Sequence, residues 1–97
     1  MGGWRGIDGP PASYLVAGDW PDGRIAGSPE AEAVRLLVLA LREAMGAAGL
    51  RETARAADVN HASLRRLLLG ESWPDVVTLA RLERALDTDL WPGRVEG

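Results

Sequence analysis

The side chains best suited to chemistry cluster between Gly49 and Gly70. This stretch carries Arg51, Arg55, Arg65 and Arg66 against Glu52 and Asp58, a local balance of +2 in a chain whose net charge is −3. It also holds the sequence's one histidine, His61, flanked by Asn60, Ala62 and Ser63. The fork of an Arg guanidinium pairs in two-pronged fashion with guanine O6 and N7 or with phosphate oxygens. His61 can donate or accept at a base edge, and Ala62 can touch a thymine methyl. Spacing makes these one surface, because His61/Arg65 and Ala62/Arg66 are i, i+4 pairs on a helix. Arg66 is the expected guanine reader. Asn60 and Ser63 suit capping or phosphate, and Arg51 and Arg55 suit phosphate.

Other chemistries lack their parts. With no Cys and one His there is no thiolate nucleophile and no multi-His metal site. All eleven basic residues are Arg, so a P-loop lysine and a Schiff base are both excluded. Carboxylate pairs such as Asp87/Asp89 have no accompanying base or acid. The chain is therefore expected to be no enzyme and to need no cofactor or metal. No apolar run approaches the ~20 residues that span a bilayer. Met1-Gly-Gly-Trp-Arg5 opens no signal peptide, so a cytoplasmic, membrane-free protein is expected. The acidic total is unusual for a nucleic-acid binder, but where charges sit matters more than their sum.

These residues need elements to position them. A length of 97 residues suits one domain. Fifteen Ala, fourteen Leu and no Phe favour helices over strands, so an all-α bundle is expected. Residues 1–27 form a Gly- and Pro-rich arm, irregular apart from one candidate hairpin: Tyr14-Leu-Val16 and Arg24-Ile-Ala26 flank the turn signature Trp20-Pro-Asp-Gly23. Residues 28–97 form the domain proper. Ser28 caps a first helix running to about Ala48, with Pro29 at its start and Glu30 and Glu32 in its first turn. Val34, Leu37, Leu41, Ala44 and Met45 share its core face. Glu32, Arg35, Arg42 and Glu43 mark the opposite face, yet Leu39 falls among them, with Leu36 and Val38 on the borders. The arm or a second subunit is expected to cover that face. A second helix spans Leu50–Ala57. Asn60 caps a third, His61–Leu69, which Gly70 ends, with Leu64, Leu67 and Leu68 inward. Asp75 caps a fourth whose Val76, Leu79, Leu82 and Leu86 face the core, and Leu90-Trp91-Pro92 packs back as a tail.

Ala54, Val59, Leu64, Leu67 and Gly70 recur at fixed spacing, followed by Glu71-Ser-Trp-Pro74 and a helix closing on Arg84-Ala-Leu86. In these positions, residues 33–91 resemble the lambda-repressor/Cro-like (XRE-type) helix-turn-helix DNA-binding domain. Two positions depart from the family pattern: Asp58 stands where the turn prefers Gly, and Leu50 where a polar group often touches phosphate. The resemblance implies a bundle of four to five helices that regulates transcription as a homodimer on double-stranded DNA. The expected function is thus a sequence-specific regulator, a repressor, placing helix 61–69 in the major groove. A different class competes with it: a protein-interaction module, such as the antitoxin of a toxin–antitoxin pair, whose arm binds a protein partner through Trp4, Tyr14, Leu15 and Trp20.

Overall fold

Local capping chemistry starts three of the four helices where the sequence places them. The computed structural model describes residues 9–95, so Trp4 lies outside the described residues. In α1 (Pro29–Met45), Ser28 Oγ accepts from the Ala31 N–H at 3.0 Å. The helix stops about one turn before Ala48, because Gly46 takes φ +57° and its N–H closes on the Arg42 carbonyl. α2 spans Leu50–Ala57 and α3 spans His61–Leu68, one residue shorter than expected. α4 (Val76–Leu86) is capped by Asp75, whose carboxylate accepts from the Thr78 N–H at 2.7 Å.

The core gathers Val34, Leu37, Val38 and Leu41 of α1, Ala54 and Ala57 of α2, and Leu64 and Leu67 of α3. Leu82 of α4 and Leu90 of the tail complete it. α2 packs on both α3 and α4, and its small Ala54 and Ala57 permit close approach. One inward assignment fails. Val76 is 80% exposed, since the first residue of α4 projects past the core, and Leu90 is buried instead. Leu79, Leu86, Ala44 and Met45 pack against the core half-buried. The tail likewise divides: Leu90 is buried while Trp91 stays exposed.

The fold is mostly helical but not all-α. A 3₁₀ turn at Pro11–Tyr14 leads into β1 (Leu15–Ala17), which pairs antiparallel with β2 (Arg24–Ile25). Leu15 faces Ile25 and Ala17 faces Arg24, with a bulge between them. Gly23 is required in the turn, because a Cβ there would strike the Ala17 carbonyl oxygen. The hairpin was legible from its turn residues; its docking was not. Arg35 Nη1 donates to the Pro21 carbonyl at 3.1 Å, and Asp22 lies 3.6 Å from Arg42. Pro11 is buried and Trp20 packs against the core. The arm therefore docks along the Arg35–Arg42 face of α1, and Val38, a border residue in the helical pattern, is fully buried. Leu36 and Leu39 are half-buried.

Asp58, at the turn position that prefers Gly, adopts the left-handed conformation, at φ 58° and ψ 47°. Arg81 Nη1 donates to its carbonyl at 2.8 Å, a bond that any residue would keep, and its carboxylate is almost fully exposed. Asp58→Gly should thus relieve backbone strain at little cost in contacts and raise stability by a few tenths to about 1 kcal/mol. Urea midpoints check this, and a lower midpoint for the Gly variant would contradict it.

The tail is fastened by Glu83, whose Oε2 accepts from the N–H groups of Leu90 at 2.7 Å and Trp91 at 3.1 Å. The Trp91 bond first, then the Leu90 bond, holds the Glu83 carboxyl below its ordinary value of 4.5. A lowered folded-state value means stability present above 4.5 and lost as pH falls through the lowered value. In Glu83→Gln this titration is absent, so the midpoint gap between wild type and variant should narrow on acidification. A gap that stays constant with pH would show that Glu83 does not fasten the tail.

Candidate nucleic-acid interface

A short helix becomes a reading surface only if its start and its rotation are both fixed. Asn60 fixes the start of α3: its Oδ1 accepts from the N–H groups of Ala62 at 2.9 Å and Ser63 at 3.1 Å. Capping therefore occupies that oxygen, leaving the amide nitrogen for any further contact. Leu64 and Leu67 fix the rotation by burying one face. His61, Arg65 and Arg66 consequently point outward and are exposed, with Ala62 and Ser63 half-buried between them and the core. Arg66 Nη2 donates to Ser63 Oγ at 3.3 Å, which steers the guanidinium along the helix toward its N-terminal turn. Ser63 thus acts on Arg66.

On α2, Thr53, Ala54 and Ala57 are buried, so Arg51 and Arg55 stand one turn apart on the exposed side. None of Arg51, Arg55, Arg65 and Arg66 belongs to an ion pair among the described residues. The connecting acid behaves differently. Arg81 sits 4.0 Å from the Asp58 carboxylate while bonding its carbonyl, which offsets a negative charge between the two helices. Arg81 was not a sequence candidate; it reaches Asp58 from 23 positions away, and no local signal announces such a contact.

The structure also reassigns Trp20. Its indole Nε1 donates to the Leu68 carbonyl at 3.0 Å, so its hydrogen-bonding edge is engaged within the chain rather than offered to a partner. Elsewhere, an apolar groove of about 530 Å³ lies between the starts of α1 and α4, lined in part by Trp73, Val76, Leu79 and Trp91. Among the described residues no group of three His, Asp or Glu could hold a metal ion. No described helix is long and apolar enough to cross a membrane. No family model, curated protein or solved structure matches the chain.

Proposed function

We propose that this chain is a sequence-specific DNA-binding transcriptional regulator, a repressor built on an XRE-type helix-turn-helix. In this reading α2 lies across the phosphate backbone and α3 enters the major groove. The observation that carries it is the exposure, without ion pairs among the described residues, of Arg51, Arg55, Arg65 and Arg66 on two helices whose other faces are buried. Arg66 reads guanine, Ala62 meets a thymine methyl and His61 reaches a base edge or phosphate. A homodimer would place two copies of α3 in successive major grooves, with half-sites roughly 34–36 Å apart.

Selection of bound sites from random duplex DNA at two salt concentrations tests this reading. It expects a palindromic consensus; no enrichment overturns it. Within the same assay, Arg51→Ala or Arg55→Ala should weaken all sequences similarly. Each should also flatten the slope of log affinity against log salt by about one unit, as a lost phosphate contact does. A base-specific effect of either substitution would exclude a phosphate role.

The protein-interaction reading has one observation in its favour. Val76, Val77 and Trp91 are exposed, and Val76 and Trp91 border the apolar groove. Contiguous exposed apolar surface of this kind marks partner sites. It moves the partner surface from the arm to the opposite end of the chain, and a selection that recovers no duplex would favour it.

A further inference from the structure

An eight-residue helix is not stable alone, and α3 buries only two residues fully, Leu64 and Leu67. Its orientation must be held at its ends. The Asn60 cap and the Arg81 bond to Asp58 hold the beginning. The other end is held by the arm. Trp20 Nε1 donates to Leu68 O at 3.0 Å, and Ala12 N–H donates to Gly70 O at 2.9 Å. A third bond, from Trp73 Nε1 to Gly9 O at 3.1 Å, ties the arm to the segment that follows.

Gly70 shows how close this packing is. It is buried at φ +73°, and a Cβ there would lie 2.5 Å from the Trp20 ring and 2.8 Å from Ala12 Cβ. No side chain fits between the arm and this turn. The same turn is bonded directly to the reading residues, since Leu69 N–H donates to Arg65 O at 3.0 Å and Glu71 N–H to Arg66 O at 2.9 Å. A shift at residues 68–71 therefore moves the backbone that carries Arg65 and Arg66.

We propose that the arm is the second mount of α3, with Trp20 as a positioning residue, so that docking of the arm and binding at α3 are coupled. The coupling to DNA rests on the reading of α3 given above. Coupling between sites is reciprocal: anything that pulls the arm away lowers affinity at α3, and DNA on α3 tightens the arm. The arm is then a handle by which binding can be regulated without any contact to the reading surface.

Trp20→Phe keeps most of the ring and removes the N–H donor, Trp20→Ala removes both, and Gly70→Ala pushes the ring out. The first readout needs no DNA. In the full chain, below its unfolding transition, amide exchange at Leu69, Gly70 and Glu71 should accelerate about tenfold in Trp20→Ala and Gly70→Ala, and less in Trp20→Phe, beyond any acceleration of α1 amides, which reports the loss of global stability. Exchange at these three amides that is unchanged, or accelerated no more than in α1, in all variants that fold would overturn the mount. The second readout is affinity for the duplex recovered by selection. Trp20→Ala should weaken it about tenfold, and that loss should disappear when Arg66 is already Ala. An equal loss in both backgrounds would mean that Trp20 does not act through Arg66, and would overturn its positioning role. A wild-type protein that binds no duplex would remove the DNA reading, while the exchange data would still decide the mount.

Discussion

Deleting residues 1–27 is expected to lower the stability of the helical domain by about 3 kcal/mol or more and to make it self-associate. The arm contributes buried Pro11, the Trp20 ring against the core, and polar contacts from Pro21 and Asp22 to Arg35 and Arg42. It also docks on the face of α1 bounded by Val38, which is fully buried. Exposing one fully buried Val or Leu costs roughly 1.5–3 kcal/mol, and losing the contacts of a large aromatic adds to this. The Asp22–Arg42 ion pair is solvent-exposed and adds little. Once uncovered, Leu36, Val38 and Leu39 form an apolar stripe between two arginines, and stripes of that kind drive association. Urea midpoints and sedimentation of the truncated and full-length proteins decide the matter. An unchanged midpoint with unchanged mass would show that the arm adds nothing to the bundle.

Replacing Arg65 and Arg66 together by Ala is expected to abolish sequence-specific DNA binding while leaving the fold intact. Both side chains are exposed, and surface changes of this type usually shift stability by less than about 0.5 kcal/mol. Arg66→Ala alone should cost about 1–3 kcal/mol of binding and relax preference at one base pair if it forks to guanine. That pattern differs from the uniform weakening expected of Arg51 and Arg55, so one titration series separates reading from positioning. Because the chain carries a net charge of −3, its affinity for random duplex should be weak, and with two cations removed it should fall less steeply with salt than that of the wild type. Binding unchanged by the double substitution would remove α3 as the reader and move the weight to the protein-partner reading.

What could be read from the sequence was local. Ser28, Asn60 and Asp75 were legible as caps because a capping oxygen bonds an N–H two or three residues away. For Asp58 the left-handed conformation was what the resemblance implied, since Asp stands there at a turn position that prefers Gly and tolerates that conformation better than most residues. Leu37, Leu41, Leu64, Leu67 and Leu82 were legible as core because a helix repeats every 3.6 residues and one apolar stripe must be buried. The outward exposure of His61, Arg65 and Arg66 follows from the same period.

Tertiary structure decided the rest. α1 is apolar nearly all round, so periodicity could not say which second face would be covered; that depended on the arm finding Arg35 and Arg42. Val76 obeys the helical pattern of α4 yet is exposed, because a first-turn residue is buried only if another element extends over it. Trp20 reaches Leu68 across 48 positions and Arg81 reaches Asp58 across 23. Contacts at such separations leave no periodic trace in a single chain, since each partner satisfies its own local rules whether or not the other is near. The sequence by itself therefore determined where the helices begin and which side of α3 faces outward. The packing of the chain on itself decided what holds that helix in place.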